Sequence, residues 1–122
     1  MDFIIREVDA DQAKAMIDAG DTVFLDVRDR DTYEAGHIPG AISVGDDEIQ
    51  RFFEDFPKAH KIVCYCWAGN FSRGAVNALM MRRFTQVWTL WGGMEHWKET
   101  FPDAIETGPT PPVPYPDPAS PS

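Results

Sequence analysis

Apolar positions along the chain fall into short, β-branched runs separated by longer stretches of helical spacing. Ile62, Val63, Cys64 and Tyr65 form a bounded apolar run of the size of a buried strand. Beyond it, Ala75, Val76, Leu79 and Met80 recur at the spacing of one helix face. Thr22 to Val27 is also mostly apolar and β-branched, which predicts a strand buried on both faces. Asp26, at its carboxyl end, is a charge where an apolar residue is expected. Thr85 to Leu90, Ile4 to Val8 and a short Ala41 to Val44 complete the predicted strands. Helices are predicted over Ala10 to Ala19, over Asp46 to Phe56 with Ile49, Phe52, Phe53 and Phe56 on one side, and over Met94 to Phe101 with Trp97 inward. A single helical turn is expected around Thr32, Tyr33, Glu34 and Ala35.

The punctuation between these runs is specific. Asp9 followed by Gln12 has the form of a capping box, and Gly20 closes the same helix. Gly36-His37-Ile38-Pro39-Gly40 reads as a turn, and Gly92-Gly93 as a second tight loop. Strands alternating with helices at this spacing predict an α/β domain with a central, mostly parallel sheet covered by helices on both faces. Sites in such folds form beyond the carboxyl ends of the strands. Cys66, Arg28 and the Gly92-Gly93 loop each follow a strand directly, so they are expected at one edge.

Thr107 to Ser122 is a different material. It carries most of the prolines and can form neither helix nor sheet. Residues 1–106 are therefore expected to form the domain and residues 107–122 a flexible, polyproline-like tail. A solvated tail that can lie along the domain is the simpler reading; a docking motif for a proline-reading domain is the alternative.

Composition narrows the function classes. The 122 residues suffice for one domain with a real core, and 43% of them are hydrophobic. A formal net charge of -9 and a pI near 4.6 argue against nucleic acid or an anionic membrane as the main partner. The early charges Asp2, Arg6 and Glu7 leave no apolar leader, and no run is long enough to cross a membrane. Two cysteines this close together make no disulfide framework, so a cytoplasmic location is expected.

Candidate chemistry concentrates in the Cys66 loop. Cys66 stands at a strand end, Gly69 and Asn70 form the turn, and Ser72 is a candidate N-cap of the following helix. This arrangement aims backbone N–H groups and the positive end of a helix dipole at one sulfur. Such surroundings lower a thiol pKa from about 8.5 and make a thiolate available near neutral pH. Cys64, about 6.6 Å away along the strand with its side chain parallel, is read as core rather than as a disulfide partner.

Three segments resemble rhodanese-like domains of the single-domain bacterial sulfurtransferase type. They are Leu25-Asp26-Val27-Arg28 with Tyr33 to Ala41, Cys66-Trp67-Ala68-Gly69-Asn70-Phe71-Ser72-Arg73, and Leu90-Trp91-Gly92-Gly93-Met94-Glu95-His96-Trp97. The resemblance spans roughly residues 4–102 and implies the family's reaction. Cys66 as thiolate attacks the outer sulfur of thiosulfate or a related donor, sulfite leaves, and a persulfide remains on the enzyme. Cyanide or a thiol, including a protein thiol, then takes that sulfur in a ping-pong cycle. No metal or organic cofactor is required.

The resemblance also suggests site roles. Trp67, Ala68, Gly69, Asn70, Phe71, Ser72 and Arg73 would surround the substrate, with Arg73 adding positive charge beside the anion. Asp26 with Arg28, His37, Gly92 and Gly93 would support the edge, His37 through a structural hydrogen bond rather than as a base. Trp67, Phe71 and Trp91 stand where thiosulfate-using members often carry polar or basic residues. They would give an apolar rim in which Arg73 is the nearby fixed cation. Such a rim disfavours small, strongly hydrated thiosulfate and favours a bulkier persulfide, thiol or partner cysteine; the alternative is that the rings simply pack on the surface.

Two rival readings stay open. A non-catalytic rhodanese-like module would bind a partner without using the thiol. A cysteine phosphatase or arsenate reductase would carry arginine where Ser72 stands, because its loop wraps a phosphate.

Overall fold

The computed structural model describes residues 4–116. In chain order the elements are β1 (Arg6–Val8), α1 (Ala10–Ala19), β2 (Thr22–Asp26), α2 (Arg30–Ala35), β3 (Ile42–Ser43), α3 (Ile49–Asp55), β4 (Lys61–Tyr65), α4 (Ser72–Met81), β5 (Val87–Leu90) and α5 (Gly93–Thr100). The strands form one sheet in the order β1-β5-β4-β2-β3, and every pairing is parallel. The predicted α/β architecture is present.

Strand alternation divides the interior into two cores. Phe24 of β2, Val63 and Tyr65 of β4 and Leu90 of β5 join Ala10, Ala13, Tyr33, Met94 and Trp97 on one face. Leu25, Ile62, Cys64 and Val87 join Phe52, Phe56, Val76, Leu79 and Phe84 on the other. Each central strand therefore buries both faces, which explains its nearly continuous apolar sequence.

The local signals act as expected at α1. The Asp9 carboxylate accepts from the Gln12 N–H at 2.8 Å, and the Gln12 side chain accepts from the Asp9 N–H at 2.9 Å. Gly20 ends the helix with φ of 74°. Several boundaries differ from the predicted ones, those of α3 and β5 among them. The acidic run Asp46-Asp47-Glu48 forms a turn, so α3 begins only at Ile49, and Glu48 caps it without a side-chain bond. Strand β5 begins at Val87, because the Thr85 N–H and the Gln86 side chain are held by the carbonyls of Lys58 and Ala59.

Segment 107–116 forms neither helix nor strand, yet it is fastened to the domain. The Gly108 N–H donates to Glu34 O at 2.9 Å, and Thr110 Oγ1 accepts from the Ser43 N–H at 2.9 Å. Because β3 is an edge strand, that hydroxyl occupies a donor that would otherwise be open. Val113 and Tyr115 pack against the second core, and the Arg51 guanidinium lies 4.0 Å from the centre of the Tyr115 ring. Residues 117–122 of the expected tail lie outside the described residues.

Candidate active site

Strand β4 delivers Cys66 to the carboxyl edge of the sheet, and α4 starts six residues later. Between them the chain curls around the cysteine sulfur. The N–H groups of Gly69 and Ser72 each point at Cys66 Sγ at 3.3 Å, and Ser72 Oγ lies 3.6 Å from it. Burial alone would raise the thiol pKa. The Ser72 hydroxyl and the N–H groups of Ser72, Gly69 and Phe71 outweigh it, and the pKa sits below the ordinary value. A thiolate held this way is a prepared nucleophile.

The curl is possible because of two glycines. Gly69 has φ of 94°, in the region open to glycine. Gly93, at φ of 57°, lies so close under the loop that a Cβ there would stand 2.5 Å from Trp67 O and 2.6 Å from Cys66 O. Instead of a side chain, the first turn of α5 presents donors. The Met94 N–H bonds Cys66 O at 2.8 Å, and the Glu95 N–H bonds Trp67 O at 2.9 Å. The predicted closeness of the Gly92-Gly93 turn to the cysteine loop is thus a direct backbone clamp.

Asp26 and Arg28 form the expected ion pair. Arg28 Nη2 lies 2.6 Å from Asp26 Oδ2 and also donates to Gly36 O at 2.8 Å. Both side chains are buried, at 0% and 9% exposure, and burial in turn is offset for Arg28 by Asp26, so the guanidinium stays charged. The pair ties the end of β2 to the turn after α2. His37 holds that turn as a structural residue: its Nδ1–H donates to Tyr33 O at 2.8 Å and its ring stacks on Tyr33.

Two expectations need correction. Ser72 is not the N-cap of α4; Phe71 occupies that position, and Ser72 is the first helical residue. Its side chain turns to the sulfur and to Thr89 Oγ1, 2.6 Å away. Arg73 is not an unpaired cation facing the loop, since its Nη1 lies 3.5 Å from Glu7 Oε2. Lys98 of α5 brings a second cation nearby, its Nζ 5.4 Å from the centre of the Trp67 ring. Trp67, Phe71 and Trp91 are exposed, at 49%, 75% and 54%, and lie outside the core. Ala68 and Asn70 complete the loop, with Asn70 O accepting from the Arg73 N–H at 3.3 Å.

Thr89 is the site residue that the sequence reading missed. It is fully buried in β5, and its hydroxyl meets only that of Ser72 among the described partners. The signal was present as a polar residue within the otherwise apolar Val87-Trp88-Thr89-Leu90. Thr89 holds the Ser72 hydroxyl beside the sulfur.

A parallel α/β sheet with a cysteine cradled by backbone N–H groups at the end of its central strand defines a class of nucleophilic-cysteine domains. The family model for the rhodanese-like domain matches residues 9–100, and the chain belongs to that family. It is 34% identical to thiosulfate sulfurtransferase GlpE of Pseudomonas fluorescens (strain SBW25) over 103 residues, covering 84% of this chain and 94% of that protein. The solution structure of the rhodanese-like domain of the Anabaena sp. Alr3790 protein is similar with a TM-score of 0.74 and 28% identity, over 98% of this chain and 96% of that one. The BH2092 protein of Bacillus halodurans gives a TM-score of 0.68 and 27% identity, over 84% and 77%. Among the described residues, no helix is long and apolar enough to cross a membrane.

Proposed function

We propose that this chain is a thiosulfate-type sulfurtransferase that carries sulfane sulfur as a Cys66 persulfide. The observation that carries the reading is the Cys66 sulfur itself, held by two N–H groups at 3.3 Å and a hydroxyl at 3.6 Å. In the first half-reaction the thiolate attacks the outer sulfur of thiosulfate, the S–S bond of the donor breaks, and sulfite leaves with the electron pair. The new terminal sulfur is anionic and needs the same donors that held the thiolate. In the second half-reaction cyanide or a thiol attacks that terminal sulfur, and Cys66 departs as thiolate. The family and the thiosulfate sulfurtransferase GlpE relative support this cycle.

We assign the remaining roles on the strength of the geometry. Gly69, Ser72 and Phe71 supply N–H groups, Gly92 and Gly93 brace the loop, and Asp26, Arg28 and His37 hold the neighbouring strand end and turn. We assign the exposed rings of Trp67, Phe71 and Trp91 to the mouth that meets the acceptor, which suits a thiol on a larger molecule or a partner protein. A reduced thiol is the resting reactant, so a reducing compartment such as the cytoplasm suits the cycle. We also assign residues 1–106 to the domain and residues 107–122 to a proline-rich appendage.

Intact-protein mass after brief exposure to thiosulfate tests the function. The wild type is expected to gain one sulfur, roughly 32 Da, and Cys66→Ala to gain none. Absence of the adduct with every donor would turn the reading to a non-catalytic binding module.

A further inference from the structure

The two edges of the sheet differ in charge. Asp29, Asp31 and the run Asp46-Asp47-Glu48 follow β2 and β3 at the carboxyl edge, where Cys66 stands. At the amino edge lie Arg6 at the start of β1, Lys58 just before β4, and Arg82 and Arg83 after α4. Local contacts join them into one surface. Arg6 Nη2 donates to Thr85 O at 2.9 Å, and the Thr85 N–H donates to Lys58 O at 3.0 Å. Lys58 Nζ donates to Phe53 O, and the Arg82 guanidinium lies 4.0 Å from the centre of the Phe53 ring. Among the described residues none of these cations has a carboxylate partner. The nearby Asp18, Asp21 and Asp55 are taken by Lys14, Lys61 and Arg51, and Glu54 accepts from Gln50.

Arg83 is the residue that local structure does not call for. The Phe84 N–H bonds Leu79 O at 3.1 Å and the Arg83 N–H bonds Met80 O at 3.0 Å, the pair of bonds by which a left-handed residue closes a helix. Arg83 takes that conformation, with φ of 72°, and no other non-glycine among the described residues has a positive φ. Helix α1 ends on Gly20 instead, at φ of 74°. Glycine adopts this region freely, whereas a residue with a Cβ is strained there. Bonds to the helix carbonyls Phe53 O and Ala78 O account for where Lys58 and Arg82 lie. Nothing of the kind holds Arg83, whose exposed side chain makes no hydrogen bond or ion pair among the described residues.

We propose that this amino edge docks a short, carboxylate-rich segment of a partner protein, and that Arg83 is kept, despite its strain, for that contact. Charge complementarity selects the partner. Charges at a protein surface are felt over about 8 Å at physiological salt, so a short acidic segment meets Arg6, Lys58, Arg82 and Arg83 alone. An extended polyanion, such as an anionic bilayer, also meets the rest of a chain whose net charge is -9. The edge lies across the sheet from Cys66, so a docked partner leaves the sulfur site open.

The test is an NMR titration of the isotope-labelled full chain with the peptide hexaglutamate at about 0.1 M salt, with hexaglutamine as the uncharged control. The amides of Arg6, Lys58, Arg82 and Arg83 are expected to shift with hexaglutamate only, and those of Gly69 and Ser72 to stay in place. Arg83→Gly should weaken binding about threefold, and Arg6→Gln with Arg82→Gln about tenfold. Because Arg83→Gly also relieves a strained backbone, its thermal midpoint should be equal to or above that of the wild type. Unmoved amides at the amino edge, unchanged affinity in Arg83→Gly, or a lowered midpoint for that variant would overturn the proposal. So would tighter binding to phosphatidylserine vesicles than to hexaglutamate.

Discussion

Cys64 and Cys66 stand two residues apart, at the end of β4 and just beyond it, with side chains on one face. Both are nearly sealed from solvent, at 0% and 5% exposure. Cys64 lies among Leu25, Ile42, Val76 and other hydrocarbon side chains, and burial pushes its thiol pKa up to about 12. Cys66 meets N–H groups and a hydroxyl, and its pKa falls. Exposure therefore does not separate an inert cysteine from a reactive one here. The difference lies in the donors that face the sulfur, because a buried charge is tolerable only where hydrogen bonds replace water.

The largest effect that bears on this contrast is removal of the nucleophile. Cys66→Ala should lower turnover by about 10⁴-fold or more, whereas Cys64→Ala should leave steady-state turnover within about twofold and cost about 1–2 kcal/mol of stability. Comparable losses from both substitutions in a thiocyanate-forming assay would erase the distinction. Next comes the clamp beneath the loop. Gly93→Ala would press a methyl group into the Cys66 and Trp67 carbonyls and strain a positive φ. Displacement of the loop should lower kcat/KM roughly 10²-fold and move the pH midpoint of alkylation up toward the free thiol value of about 8.5.

The two thiols also pull stability in opposite directions with pH. Cys66 has a lowered folded pKa, so its contribution is complete above the unfolded thiol pKa and is lost as pH falls through the folded value. Cys64 has a raised folded pKa, so its contribution is complete below the unfolded value and drains away as pH climbs toward about 12. Above about pH 8.5 the Cys64 loss approaches 1.4 kcal/mol per pH unit. Denaturant titrations from pH 8 to 10.5 should show a shallower alkaline decline for Cys64→Ala than for the wild type; parallel curves would contradict the burial argument.

The smallest expected effect concerns the rim. Trp67→Arg with Phe71→Arg should lower the KM for thiosulfate about threefold at low salt and less at high salt. An unchanged or higher KM would mean that the exposed rings do not govern donor entry.

Much of this contrast was legible in the chain alone. The run from Ile62 to Tyr65, the glycine-containing loop and the helical spacing after it located a strand, a turn and a helix start, and so picked out Cys66 over Cys64. Gly92-Gly93 announced a close backbone approach. Other features were not legible for identifiable reasons. Ser72 resembled an N-cap because short hydroxyl side chains serve that role locally, yet the sulfur and Thr89 compete for its hydroxyl from other strands. The pairing of Arg73 with Glu7 joins residues far apart in sequence, as does Lys98 over Trp67.

The proline-rich segment makes the same point. Its composition rules out helix and sheet, as the lack of donors and the fixed φ of proline require. Composition says nothing about where such a segment lies, and Thr110 on Ser43, Val113 on the second core and Arg51 over Tyr115 place it along the domain. The sequence by itself determined the elements, their alternation and the candidate nucleophile, because periodicity and turn chemistry act between residues close in the chain. Tertiary structure alone decided which donors reach the sulfur and which cations are already paired. Those outcomes depend on contacts between distant segments, where geometry rather than local preference selects the partner.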